Sequence, residues 1–246
     1  MNCQDQIYSE EYIDFIGNRS LIESKYTLDC KQPLGARFAS LYLKLSDGYE
    51  DGTVYGYYNI PKLFGLQDTG SMESSGILQV RENPDLKLDG SGVLIGFVDT
   101  GIDYAGSIFL KQDGTTRVTA IWDQTIPAGS PIRLPAQPEL PETPENITRT
   151  PEGFLYGSEF THEQLNAAVK MEDAYEGISS RDENGHGTFL ASIAAGNELP
   201  DGSFTGAAPK ADIAMVKLKP AKNRLRAYYQ IKEDAVAYQE NDIMAG

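Results

Sequence analysis

The chain has 246 residues, 40% of them hydrophobic, enough for one large domain or two smaller ones with a sizeable core. Its 21 Lys and Arg stand against 36 Asp and Glu, a formal net charge of −15. A surface so acidic repels nucleic acid and anionic membranes, and neither is expected as a partner.

Taken from the start, Met1-Asn2-Cys3-Gln4-Asp5-Gln6 has neither the basic nor the apolar region of a signal peptide. No apolar run approaches the length of a membrane span. The expected setting is the interior of the producing cell, or export by another route. Cys3 and Cys30 read as two free thiols or, as the alternative, a single disulfide, which nothing in the sequence requires. Ser9, the acids Glu10 and Glu11, and then Tyr12, Ile13, Phe15 and Ile16 predict a helix over residues 8–16. Phe38-Ala39-Ser40-Leu41-Tyr42-Leu43-Lys44-Leu45 predicts a strand, closed by the turn Ser46-Asp47-Gly48. Residues 54–58 are its expected return strand, ended by Pro61. Residues 1–66 thus read as a small α+β unit, and 71–76 as a short helix leading to the core.

The stretch Val93-Leu94-Ile95-Gly96-Phe97-Val98-Asp99-Thr100-Gly101-Ile102-Asp103 organises the rest of the chain. A short apolar run rich in β-branched residues predicts a strand buried on both faces, as in a parallel sheet. Asp99 closes it at the carboxyl end, where open α/β sheets gather loops and helix N-termini. A buried aspartate needs partners, and His186 is the expected one. Arg117 to Thr125 predicts another strand. Pro127, Pro131, Pro135, Pro138, Pro141, Pro144 and Pro151 exclude a helix or central strand, so about 126–152 reads as a surface insertion. Thr161-His162-Glu163-Gln164 is a capping box opening a helix to about Met171. His162 then lies exposed in its first turn and is a poor base. Asp182-Glu183-Asn184-Gly185-His186-Gly187-Thr188 leads into a helix running to Ala195 and ending at Gly196. A turn-rich loop over 197–206 precedes a buried strand at 212–218. Residues 233–238 open a helix, or form a loop before one near Asp242.

Three of these segments carry a resemblance. Phe97-Val98-Asp99-Thr100-Gly101-Ile102-Asp103 resembles the aspartate motif of the subtilisin-like serine proteases. Gly185-His186-Gly187-Thr188-Phe189-Leu190-Ala191 resembles their histidine motif. Thr205-Gly206-Ala207-Ala208-Pro209-Lys210-Ala211, with Ile213 to Lys217, resembles the loop and strand after the histidine helix. The likeness runs from about Asp89 onward and is closest to the clostridial branch that includes the spore-germination proteases. It implies an α/β fold with a subtilisin-like parallel sheet flanked by helices, here incomplete, over residues 67–246. It implies that 1–66 is a prodomain, a chaperone and intramolecular inhibitor of the rest. The implied partners are a peptide or protein substrate and this prodomain.

The resemblance assigns Asp99 and His186 to a catalytic triad, 87 residues apart because of the proline-rich insertion. His186 would act as base, and Asp99 would orient it. The serine is missing: no Gly-Thr-Ser follows His186. Thr69-Gly70-Ser71-Met72 is like that motif, but its first two residues are transposed, Glu73 replaces an alanine, and it precedes Asp99. Subtilases run Asp, His, Ser, so Ser71 reads as a loop serine. The complete protein is therefore expected to be a serine endopeptidase, and this chain alone inert. The alternative is a non-catalytic regulatory subtilase of the germination group.

Other chemistries fit less well. Asp99-Thr100-Gly101 is also like the aspartic protease motif, but Ile102 stands next where Ser or Thr is usual, and no second copy exists. Two His and two Cys so scattered cannot make the usual zinc site. No cofactor is expected. Many subtilases hold calcium, and the acidic loop Asp47-Gly48-Tyr49-Glu50-Asp51 offers weak ligands, but no calcium-binding loop is recognisable.

Overall fold

The computed structural model describes residues 2–25, 30–44, 57–64, 88–135, 147–201 and 204–246. Contacts divide the chain into two compact units. One gathers Met1–Leu66, Thr150–Tyr156 and Lys219–Gly246; the other gathers Gln67–Arg149 and Gly157–Leu218. The first packing unit therefore takes in two later segments besides the N-terminal residues 1–66. The helix expected at 71–76 and the serine Ser71 lie outside the described residues, as does the acidic loop 47–51.

The first unit begins with helix α1 (Cys3–Tyr8), opened by a reciprocal cap between Asn2 and Asp5. Strand β1 (Tyr12–Asn18), helix α2 (Arg19–Lys25), and strands β2 (Lys31–Leu34) and β3 (Phe38–Lys44) come next. The three strands form an antiparallel sheet of order β1-β3-β2. A two-residue strand β4 (Leu63–Phe64) lies after them. The helix expected over 8–16 is corrected: that stretch is the end of α1, a turn, and β1. Ser9 Oγ accepts the Glu11 amide at 3.2 Å, a local turn and not a helix start. Tyr12, Ile13, Phe15 and Ile16 then suit a pleated surface, and β3 pairs with β1 along its whole length. The predicted strand at 38–45 is β3. Of its expected return strand, Tyr57 and Tyr58 lie in a 3₁₀ turn over Tyr57–Asn59, and 54–56 fall outside the described residues. Cys3 and Cys30 form a disulfide with Cα atoms 5.0 Å apart. That corrects the expectation of free thiols: helix α1 and the approach to β2 bring the two sulfurs together.

The second unit is α/β. Strands β5 (Leu94–Asp99), β6 (Val118–Asp123), β7 (Ser158–Thr161) and β8 (Asp212–Lys217) form one sheet of order β5-β8-β6-β7. The first three in that order run parallel, and β7 runs antiparallel to β6. Helices α3 (His162–Val169), α4 (Ala174–Gly177) and α5 (His186–Ala195) accompany it. The predicted capping box is present: Thr161 Oγ1 accepts the Gln164 amide and the Gln164 side chain returns to the Thr161 amide. Ile213 and Met215 of β8 are buried with Val118, Ile121, Phe160 and Leu165.

Strand β5 departs from expectation. Only Ile95 and Phe97 pack against the core, while Leu94 and Val98 on the other face are 59% and 37% exposed. Among the described residues the core therefore covers one face of the strand and not both. In the proline-rich stretch, the described residues form no helix and no named strand, only isolated bridges between Pro131 and Ile147 and from Arg149 to Glu159. Ile132 nevertheless enters the core, so the stretch is not wholly superficial.

The chain closes with helix α6 (Asn223–Tyr228), strand β9 (Tyr238–Gln239) and helix α7 (Glu240–Ala245), all in the first unit. Residues 233–237 are a loop, the second of the two readings offered by the sequence. β9 pairs with β4. A buried polar network holds these late residues to the N-terminal sheet. Lys222 Nζ donates to Asp14 Oδ1, and Gln239 Nε2 donates to Asp14 Oδ2 at 2.8 Å. Lys219 Nζ donates to Asp242 Oδ2 at 2.6 Å, and the Tyr156 hydroxyl donates to Asp242 Oδ1 at 3.0 Å. Asp14 and Asp242 have no exposed surface, so each needs its cation and its neutral donors. Among the described residues no helix is long and apolar enough to cross a membrane.

Candidate active site

The site is built where β5 ends and α5 begins, within the second unit. Parallel pairing places Asp99, Lys217 and Asp123 in one row at the carboxyl ends of β5, β8 and β6. After Asp99 the chain turns through Gly101, whose φ of +127° suits glycine. The Leu218 amide donates to the Asp99 carbonyl at 2.8 Å and fixes the strand end. Helix α5 starts with His186 after Gly185, which has a left-handed backbone and gives no side-chain cap.

The structure brings Asp99 and His186 together. His186 Nδ1 lies 2.8 Å from Asp99 Oδ1, and the two side chains are 15% and 11% exposed. Facing a carboxylate oxygen, which accepts, Nδ1 is the donor of this hydrogen bond. The Thr100 amide also donates to Asp99 Oδ1 at 2.7 Å. Asp99 is thus held both from its own turn and from the ring.

The helix N-terminus is capped from elsewhere. Its first amides lack intrahelical partners. Thr100 Oγ1 accepts the Gly187 amide at 2.8 Å, and Asp182 Oδ2 accepts the Thr188 amide at 2.8 Å. The Asp103 amide donates to Thr188 Oγ1 at 3.0 Å. Lys217 Nζ donates to Glu183 at 2.8 Å and lies 3.6 Å from Asp123. Sequence reasoning missed Thr100, Asp182, Thr188 and Lys217. Asp182 and Thr188 flank His186 by four and two positions, but their spacing alone does not show that they meet the Asp99 turn.

His162 is not part of this site. Its Nε2 lies 3.0 Å from the Thr116 carbonyl oxygen, so it is partly buried on a backbone partner and not exposed as expected. Among the described residues, no group of three or more His, Cys, Asp or Glu is placed to hold a metal ion.

Comparison with known proteins identifies the family. The subtilase family profile (Peptidase S8) matches residues 90–244. The chain belongs to that family. Two Arabidopsis thaliana relatives are similar over about half of it. Subtilisin-like protease SBT3.8 is 30% identical over 144 residues, which is 52% of this chain and 16% of the relative. Subtilisin-like protease SBT3.1 is 31% identical over 139 residues, with the same shares of 52% and 16%. The chain thus spans about 16% of the length of the curated relatives it matches. The solved structure of the Clostridium perfringens CspB protease matches with a TM-score of 0.43 and 32% identity, over 61% of this chain and 25% of that one.

Proposed function

We propose that this chain supplies the aspartate and histidine of a subtilisin-type serine endopeptidase, and that the nucleophile comes from a segment outside it. The observation that carries this reading is the 2.8 Å hydrogen bond between His186 Nδ1 and Asp99. With its proton held on Nδ1, His186 presents Nε2 as the base. It would take the proton of a serine hydroxyl as that oxygen attacks the peptide carbonyl, and give it to the leaving amine. Asp99 would hold the tautomer and stabilise the imidazolium without taking the proton itself. The substrate is a peptide or protein.

In the same reading residues 1–66 act as a prodomain, with self-cleavage near 65–71 in the complete enzyme. Family membership and the position of this segment before the matched residues support it. Mass spectrometry of the full-length product tests it; an intact N-terminus in a protein with a reactive serine would end it. A regulatory, non-catalytic subtilase is the second reading. A role in spore germination rests on the motif resemblance alone. Fluorophosphonate labelling of the full-length gene product separates the two readings: a labelled serine supports the protease, and no label supports the regulator.

A further inference from the structure

The Asp182 carboxylate accepts four hydrogen bonds, from Thr100 Oγ1 at 2.7 Å, Gly185 N at 2.9 Å, Thr188 N at 2.8 Å and Thr188 Oγ1 at 2.6 Å. Two of these donors are joined to the Asp99 turn. Thr100 follows Asp99 directly and its hydroxyl also takes the Gly187 amide. Thr188 Oγ1 also takes the Asp103 amide. The other two donors belong to the start of helix α5. One carboxylate therefore touches both sides of the joint across which Asp99 and His186 meet. A cap serving only its own helix would not also bind the Asp99 turn.

Burial works against the Asp182 charge and is the largest single effect, but the Thr188, Thr100 and Gly185 donors together outweigh it and hold its pKa below the ordinary carboxylate range. The charged form is thus the one the site is built for. An amide in its place keeps one acceptor oxygen and turns an NH₂ toward donors. Either orientation of that amide sets its NH₂ against a backbone N–H that cannot rotate away, of Gly185 or of Thr188, so the clamp is weakened.

We propose that Asp182 is a positioning residue, whose carboxylate locks the Asp99 turn to the His186 helix and so fixes the Asp99–His186 hydrogen bond. This rests on the Asp–His reading above. The effect is on geometry and on the lifetime of the Nδ1–H bond, not on substrate contact.

Proton NMR of the 246-residue chain tests it. The Nδ1–H proton of His186 should appear far downfield and vanish in His186→Asn and Asp99→Asn. In Asp182→Asn its exchange with water should rise roughly tenfold or more, as for loss of a charge-assisted hydrogen bond, with the circular dichroism unchanged. Thr188→Val removes part of the same clamp without changing charge and should act in the same direction. It decides the matter if Asp182→Asn does not fold. Wild-type exchange in the folded Asp182→Asn or Thr188→Val protein, with the signal still lost in Asp99→Asn, overturns the role of Asp182 while the pair stands. A downfield proton that survives Asp99→Asn overturns the pair and the inference together.

Discussion

A Cβ added to Gly187 would stand 2.2 Å from the Gly101 carbonyl oxygen and 3.2 Å from the Asp99 Cβ. Helix α5 can approach the Asp99 turn this closely only because it carries a glycine there. The obstructing atom is backbone, which has no rotamer to change. Gly187→Ala should therefore push helix and turn apart and lengthen the Asp99–His186 contact. The expected loss is about 1–3 kcal/mol of stability, as for overpacking in a core, together with the downfield His186 proton. A variant of wild-type stability that keeps this proton would show that the close approach is not required.

The buried pair of Asp14 and Lys222 gives a second prediction. Their side chains are 0% and 6% exposed. Lys222→Met leaves Asp14 with neutral amide donors only, from Gln239 and Asn241. Breaking one partner of such a pair costs about 3–5 kcal/mol, whereas replacing both by apolar residues is often close to neutral. Urea unfolding should show Asp14→Leu/Lys222→Met to be far less damaged than the sum of its single variants. Additive losses would mean the two side chains act independently.

Alkaline pH supplies a third. Burial, then the nearby Asp14 and Asp242 carboxylates, pushes the Tyr42 pKa well above the ordinary tyrosine value. Burial, then Asp242, does the same for Tyr156. For Lys219, burial acts to lower the pKa and is the largest effect, but Asp242 and Asp14 outweigh it and the pKa is raised. Each of these groups holds its proton more tightly in the folded chain. Their contribution to stability is complete below the unfolded values, about 10 for tyrosine and about 10.4 for lysine, and is lost as pH rises through the raised folded values. Tyrosinate absorbance from these rings should rise together with the loss of circular dichroism, above pH of about 10. Ionisation of Tyr42 and Tyr156 in a chain that keeps its full dichroism would contradict it.

Much of the second unit is legible in the sequence, and less of the first. Asp99 and His186 are framed by glycines and by apolar runs of the right length, so local pattern is enough to find them. The Thr161–Gln164 capping box is a local signal too, and it is where the pattern puts it. Strand β1 escapes a local reading because Tyr12, Ile13, Phe15 and Ile16 fit a helical face as well as a strand, and only β3, many residues later, decides between them. The exposed face of β5 has the same origin: composition shows that a strand is apolar, not which of its faces the rest of the chain covers. Cys3 with Cys30, and Asp182 with Thr100, are contacts between distant segments, with no periodicity to announce them.

The 246-residue chain by itself should hydrolyse no peptide bond. Its serines after His186 are Ser192 and Ser203, neither of them in a Gly-Thr-Ser setting. Ser192 Oγ is bonded to the Thr188 carbonyl at 2.7 Å. In subtilisin, the reference case for this triad, removing the nucleophile lowers turnover by roughly 2 × 10⁶. Purified chain should leave peptide substrates intact and take up no fluorophosphonate. Labelling at Ser71 that disappears in His186→Ala would contradict this and place the nucleophile before Asp99 in the chain.

The central claim is that Asp99 and His186 activate a serine, and the rate of fluorophosphonate labelling in the full-length gene product tests it most directly. The wild-type protein should label on one serine outside residues 1–246. Asp99→Asn, which keeps the shape of the pair but traps the wrong tautomer, should slow labelling by about 10⁴. His186→Ala should abolish it. Labelling at an unchanged rate in both variants would show that the pair, though 2.8 Å apart, does no catalytic work.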